Sequence, residues 1–352
     1  EFKHSTEVVT SVEETFAWHE RKGAFRRLMP PWEKAEQVGE LSSLEDGTRL
    51  TFKLPMGPIK MKWIAEHSGY KPPHAFEDTM IKGPFKTWHH VHSFVETEDG
   101  ACRVDDHVEY TLPMGILGRI FGGGNVRKRL QRMFKAREIR LSKDTKRYNN
   151  FAHIKRKKIL IAGSSGLIGR QLIAFFDTAG HDVWRLVRKE PGKNQIQWSP
   201  SDGKINADEL EGFDAIIHLG GAGIGDKRWT KQRKIVLEKS RTDSTSLLAS
   251  TIAGLENKPE VFIVSSAMGI YGSRGDEELT EDSAVGEGFL PDMCVAWEKS
   301  AQAAIDAGVR TIHCRTSLVL DATGGVLQKM LLPAQLGAGG PIGWGKQWYS
   351  WI

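Results

Sequence analysis

The sequence predicts an α/β protein: a doubly wound parallel sheet in its second half, preceded by an α+β domain in which an antiparallel sheet is closed by a long helix. Three observations carry this. The apolar run Ile159-Leu160-Ile161-Ala162 leads into Gly163-Ser164-Ser165-Gly166-Leu167-Ile168-Gly169, and a helical pattern follows at Leu172, Ile173 and Phe176. Strand-like and helix-like runs alternate beyond it, as a parallel sheet demands. Upstream, β-rich runs marked by Asp46-Gly47 and Asp99-Gly100 precede one long helical stretch.

A length of 352 residues suggests two domains rather than one. Residues 1–145 form the first, 146–156 a basic linker and 157–352 the second. Hydrophobic and charged contents of 39% and 26% are those of a soluble globular protein. No apolar run reaches the roughly 18 residues needed to cross a bilayer, so no membrane span is expected. Cys102, Cys294 and Cys314 are too few and too scattered for a disulfide framework or a zinc site, which points to a reducing, cytoplasmic setting. The chain opens at Glu1 with no signal peptide and reads as trimmed at its start.

The formal charge of +5 conceals an asymmetry: residues 119–158 carry 15 Lys or Arg against Glu138 and Asp144, leaving the remainder acidic. Such a stripe can attract nucleic acid or an anionic surface. No nucleic-acid motif accompanies it, however. The spacing of Val126, Leu130, Met133, Phe134 and Leu141 instead gives one buried side of a helix, with the basic residues on its solvated side.

In the first region a strand is expected near Lys3–Thr10, followed by short helices at Val12–His19 and Gly23–Arg27. Strands follow at Thr48–Leu54, Trp88–Glu96 and Cys102–Leu112, and the long helix starts near Leu117. A curved sheet and a helix laid across it enclose a space suited to an apolar ligand. Trp88, His90, His92 and Phe94 share one strand face by the period of two, so they are the candidate lining of that cavity. Two His at this spacing can also hold a metal, but no third ligand is evident nearby, and no metal site is expected.

Gly83-Pro84-Phe85, Trp88 through Phe94, Asp105 through Tyr110 and Leu112-Pro113-Met114-Gly115 together resemble the START-like, helix-grip superfamily (SRPBCC) of polyketide cyclases and lipid carriers. The likeness is to the version fused to a dehydrogenase-like domain. It covers most of residues 3–143 and implies a lipid-like or other apolar ligand.

In the second region the glycine turn supplies positive-φ positions and close backbone approach. The helix behind it offers unpaired N–H groups to a pyrophosphate. Gly163, Ser164, Ser165, Gly166, Leu167, Ile168 and Gly169 are therefore candidate cofactor-binding residues. The second strand is His181–Val187. Where an NAD site carries an acid for the ribose hydroxyls, this chain has Arg188, which favours a 2′-phosphate and hence NADP(H). A third strand ends in Leu219-Gly220-Gly221-Ala222, small enough for close approach to the nicotinamide half. A fourth, from Val261, ends in Ser265-Ser266, and Ser265 joins Leu219 to Ala222 among the candidate cofactor-binding residues. Ser266 can hydrogen-bond a carbonyl or hydroxyl undergoing hydride transfer, or both serines can simply satisfy strand-end backbone groups.

Trp229, Ser240-Arg241-Thr242, Ser266 with Tyr271-Gly272, Cys294-Val295-Ala296-Trp297-Glu298 and Arg315 resemble the extended short-chain dehydrogenase/reductases, a Rossmann-like class. The closest likeness is to the epimerase-family subgroup, over residues 157–352. The resemblance implies a small-molecule substrate, with nucleotide sugars the inherited class and an apolar carbonyl compound the other. It also implies helix pairs that can form a homodimer, and a substrate lobe continuing past residue 352, so the chain reads as cut short at its C-terminus.

One departure limits the chemistry. Members of that superfamily use Tyr-x-x-x-Lys, whose cation lowers the phenol pKa, and no such pair occurs here. Cys294-x-x-x-Glu298 stands at the matching place, and a carboxylate there raises the thiol's pKa instead. Ser266, Cys294, Glu298 and Tyr271 are the candidate catalytic residues. Two functions stay open: NADP(H)-dependent hydride transfer with an atypical acid, and a non-catalytic NADP(H)-dependent binding or regulatory protein whose first domain holds an apolar ligand.

Overall fold

Alternation builds the first sheet. In β1 (Phe2–Val8) Phe2, Thr6 and Val8 are buried between exposed neighbours. Ser11 then caps α1 (Val12–Glu20) by accepting the Glu14 N–H, and α2 (Ala24–Leu28) follows. Six further strands complete the sheet: β2 (Glu36–Gln37), β3 (Arg49–Met56), β4 (Ile59–Lys71), β5 (Ala75–Lys82), β6 (Thr87–Glu96) and β7 (Cys102–Thr111). Their order is β1-β7-β6-β5-β4-β3-β2 and every pairing is antiparallel. The helix α3 (Gly115–Asn150) packs on it through Leu130, Phe134 and Leu141, which are buried.

The computed structural model describes residues 1–39, 43–56, 59–113, 115–341, 343 and 345–352, so Met114 lies outside the described residues. The chain divides into two units, Glu1–Lys155 with Ala174–Gly180 and Arg156–Ile173 with His181–Ile352.

Three sequence expectations need correction in the first unit. The sequence pattern predicts no strand between Leu54 and Trp88, yet β4 and β5 lie there. Their inward positions include Ala65, His67 and Asp78, which blunt the apolar alternation. The helix runs on to Asn150, so the first part of the expected linker is helical. Asp144 and Thr145 are buried there, Asp144 in a two-bond ion pair with Arg27 at 2.6 and 2.7 Å. The basic residues of α3 are also not all on its solvated side, because Arg137 lines the internal cavity and Arg129 pairs with the buried Glu33.

The second unit alternates strand and helix: β8 (Lys158–Ala162), α4 (Leu167–Thr178, whose residues from Ala174 on group with the first unit), β9 (Asp182–Val187), β10 (Gln195–Ser199), β11 (Lys204–Ile205) and β12 (Ala215–His218). It continues with α5 (Lys231–Gly254), β13 (Val261–Ala267), α6 (Phe289–Lys299), α7 (Gln302–Asp306), β14 (Arg310–Thr316) and α8 (Gly325–Gln335). The sheet order is β11-β10-β9-β8-β12-β13-β14, parallel except for β11. Leu160, Ile216, Phe262 and Val264 fill its centre with Leu248, Ile252 and Trp297 from the helices.

Chain order runs outward from β8 in one direction through β9 and in the other through β12. The crevice at the carboxyl ends of β8 and β12 is thus the topological switch point where such sheets bind ligands. Among the described residues no helix is long and apolar enough to cross a membrane.

Candidate functional site

The glycine turn closes on itself just past β8. Gly163 has φ +81°, and a Cβ there would stand 2.8 Å from the backbone carbon of Leu219 at the end of β12. Gly169 sits in the first turn of α4, where a Cβ would meet the Gly163 carbonyl oxygen at 2.4 Å. Both positions thus exclude a side chain by backbone contact. The Gly166 N–H donates to the Gly163 carbonyl at 3.0 Å, which folds Ser164 and Ser165 into the turn ahead of Leu167 and Ile168. The N–H groups of the first turn of α4 are therefore presented beside the switch point.

The facing loop is held from α5. Ser240 Oγ accepts the Ala222 N–H at 2.9 Å, Arg241 donates to the Ala222 carbonyl at 3.2 Å, and Arg233 donates to the Gly223 carbonyl at 2.6 Å. Leu219 still pairs with Ala162 through a 2.9 Å backbone bond, so Gly220 and Gly221 are the first residues free of the sheet. Arg188 follows the end of β9, exposed and without an ion-pair partner among the described residues.

Ser266, Glu298 and Tyr271 converge on one side chain that the sequence reading had not placed in the site: Arg315. The β13–β14 register sets Ser266 directly beside Arg315. Ser266 Oγ donates to Glu298 Oε1 at 2.6 Å, while Arg315 Nε and Nη2 donate to Oε1 and Oε2 of the same carboxylate, each at 2.9 Å. Arg315 Nη1 also donates to Tyr271 Oη at 2.7 Å and to the Glu281 carbonyl at 3.0 Å. Burial works to raise the Glu298 pKa, but the bonds from Arg315 and Ser266 outweigh it and hold the carboxyl below its ordinary range. The Glu298 bond in turn raises Arg315.

Ser265, one residue before Ser266, turns to the other side of β13. Cys294 is not part of the network. It is wholly buried against Ile270 and Tyr271, and burial, followed by the Glu298 charge, pushes its thiol up. The chemistry gathered here is a hydroxyl backed by an ionised carboxylate, which is fixed by a guanidinium that also touches a phenol.

The first unit encloses a cavity of about 580 Å³. Phe52, Trp63, Leu112 and Met133 make its apolar wall, with Trp88, His90 and His92 from β6. Phe94, expected to line it with them, lies instead in the solid core with Phe16 and Phe76, because the inward face of β6 runs past the end of the opening.

Two carboxylates flank the histidines. Asp78 Oδ2 stands 3.2 Å from His90 Nδ1 and 3.5 Å from His92 Nε2, and Asp106 Oδ1 stands 2.9 Å from His90 Nε2 and from His92 Nδ1. Burial alone would lower His90, but the bonds to Asp106 and Asp78 overcome it and raise the imidazole to about 9. Both carboxyls are correspondingly held low, against the opposing pull of burial. The expectation that no third ligand lies near the two histidines is thus incorrect. Asp78 is brought in by strand pairing directly opposite His90, from a strand the sequence pattern did not reveal.

Residues 159–289 match the NAD dependent epimerase/dehydratase family, and residues 8–134 match the polyketide cyclase / dehydrase and lipid transport family. A crystal structure of a nucleoside-diphosphate sugar epimerase from Corynebacterium glutamicum is similar over 100% of this chain and 73% of its own, with 34% identity and a TM-score of 0.83. An epimerase family protein of Mycobacterium bovis is 36% identical over 55% of this chain, and the chain spans 64% of that relative's length. A human epimerase family protein crystallised with NADPH is 32% identical, covering 55% of this chain and 65% of its own, with a TM-score of 0.49.

Proposed function

Because the chain belongs to the epimerase family, with a polyketide cyclase-type domain ahead of its NAD-dependent epimerase/dehydratase domain, we propose that it binds NADP(H) across the crevice between β8 and β12 and transfers hydride to or from a small-molecule substrate. The observation that carries this is the glycine turn itself: Gly163 and Gly169 are closed to any side chain by backbone contact, and the turn presents helix N–H groups where a pyrophosphate would lie. Arg188, exposed after the second strand of the unit, supplies a cation for a 2′-phosphate. A bound nicotinamide supplies or accepts the hydride.

The chain's own residues would handle the proton. Ser266 directs its hydrogen at Glu298 and keeps its lone pairs for a substrate hydroxyl, while Glu298, held ionised by Arg315, fixes Ser266 in that orientation. Arg315 thereby stands in the supporting place that Lys occupies in Tyr-x-x-x-Lys sites. Tyr271 accepts from Arg315 through its oxygen, and its own O–H is the group that would donate to the substrate. Cys294 takes no part.

Titration of the full chain with NADPH, followed by fluorescence transfer and thermal shift, tests the binding. Absence of both responses would remove the proposal. Arg188→Ala should weaken NADPH far more than NADH, and equal losses would take Arg188 out of the phosphate site.

The buried Cys294 and the missing Lys favour a second reading, in which the cofactor is held without turnover and the first unit binds an apolar ligand. A cavity of about 580 Å³ falls within the size range of small-molecule sites. Mass spectrometry of organic extracts of the purified chain would identify such a ligand. Saturable NADPH oxidation with any sugar nucleotide or carbonyl compound would count against the non-catalytic reading.

A further inference from the structure

The inner face of the first sheet carries a row of polar side chains across four neighbouring strands. His67 on β4 lies opposite Asp78 on β5, Asp78 lies opposite His90 on β6, and His92 lies opposite Asp106 on β7. All face the cavity or its wall, and the side chains of Asp78, His90, His92 and Asp106 are 18%, 4%, 9% and 12% exposed. We propose that Asp78, His90 and His92 bind a divalent first-row transition-metal ion, zinc or iron(II), with an open coordination position facing the cavity.

The geometry suits that chemistry. One donor atom from each of the three residues lies within 4.8 Å of the other two. Metal bonds of about 2.0–2.2 Å place tetrahedral donors about 3.3–3.5 Å apart. The two separations from Asp78 Oδ2, 3.2 Å to His90 Nδ1 and 3.5 Å to His92 Nε2, fall at that spacing. Two imidazoles and one carboxylate form a donor set used by both zinc and non-haem iron(II).

Asp106 completes the arrangement from behind. Its Oδ1 hydrogen-bonds His90 Nε2 and stands 2.9 Å from His92 Nδ1, the ring nitrogens turned away from Asp78. A carboxylate on the far nitrogen is how metal-bound imidazoles are commonly oriented.

Two further observations point to an occupant. His67 is 4% exposed and lines the same cavity; the Glu77 carbonyl lies near its ring, but no hydrogen bond of good geometry reaches either ring nitrogen. Such a group is costly unless something in the cavity pairs with it, and a metal-bound water would do so. Charge gives the second. Two buried carboxylates require two positive charges, and Arg137 on α3 supplies one of them into the cavity. A divalent ion supplies the other, with one positive charge to spare. That surplus suits an anionic oxygen, from water or from the cavity's ligand, at the open position.

The test uses the full chain without a histidine tag, dialysed against chelator and titrated with Co(II). One ion per chain, with visible d–d bands removed by excess zinc, is the expected result. Metal analysis of freshly purified protein then separates zinc from iron. The doubly substituted His90→Ala, His92→Ala chain should lose the bands. His89→Ala, on the outward side of the same strand, should keep them.

If the double variant does not fold, Asp78→Asn preserves shape and should weaken Co(II) at least about tenfold, while Asp106→Asn should weaken it about 10–100-fold. Substoichiometric Co(II) in the parent chain, or unchanged affinity in Asp78→Asn, overturns the proposal and leaves the row as a hydrogen-bonded ion network. None of these readouts depends on NADP(H) or on turnover.

Discussion

Glu298 accepts three hydrogen bonds from two residues, so its loss would be felt in more than one place. Glu298→Gln keeps the volume but removes the charge that Arg315 faces. Their side chains are 15% and 26% exposed, so the pair is largely sheltered. The variant should be about 1–3 kcal/mol less stable in urea denaturation, with NADPH affinity little changed, because Glu298 is not among the residues proposed to hold the phosphates.

A second residue makes stability depend on pH. His218 is wholly buried beside Ser244, and burial pushes its imidazole down to about 4. In the unfolded chain it takes up a proton near its ordinary value of 6.5. Its neutral form therefore supports the fold fully above that value, and the support drains away as pH falls towards the folded value. Denaturation at about pH 7.5 and about pH 4.5 should show the parent losing about 2 kcal/mol more than His218→Asn across that interval. Parallel declines would refute the assignment.

Elements explain which residues could be found in advance. Gly163–Gly169 was readable because its strand, turn and helix are contiguous, and local context supplies the whole signal. Gly169→Ala would force a Cβ against the Gly163 carbonyl at 2.4 Å. It should cost about 1–3 kcal/mol and weaken NADPH at least tenfold, measured by thermal shift and fluorescence titration.

Arg315 escaped because its meeting with Ser266 is made by the register of β13 against β14, with α6 and α7 between them in the chain. No periodicity in the sequence encodes that pairing. Asp78 escaped for a related reason: β4 and β5 turn histidine, alanine and aspartate inward, so the alternation that marks a half-buried strand is weak. The end of α3 was misread because its buried positions there are Asp144 and Thr145, which composition assigns to solvent.

On the scale of the whole chain, the two units carry candidate binding surfaces of different character, one a cavity with a charged end and the other a crevice between parallel strands. Ligand at 100 times its Kd stabilises the unit that binds it by about 2.7 kcal/mol. NADPH should therefore slow amide hydrogen exchange in β8, β9, β12 and the turns that follow them, and leave β4 to β7 unchanged. Protection confined to the first sheet would place the cofactor elsewhere. The fold class of both halves was legible from patterning, since long-range order in a parallel sheet follows from alternation of elements. The chemistry was only partly legible, because each site depends on side chains contributed by neighbouring strands.

The polar row on the first sheet also bears on how that sheet finds its own alignment. The pairing of β4 with β5 shifts register at Ile64/Ala65 and again at Ser68/Lys71, whereas β6 pairs with β7 without interruption from Thr87 to Glu96. A slip of one residue turns every side chain of a strand to the opposite face. Such a slip in β5 would carry Asp78 out to solvent and strand His90 without one of its counter-charges, and a slip in β7 would do the same with Asp106. An uncompensated buried charge costs several kcal/mol. The four groups therefore add a charge penalty to the one that apolar alternation already sets against a misaligned sheet.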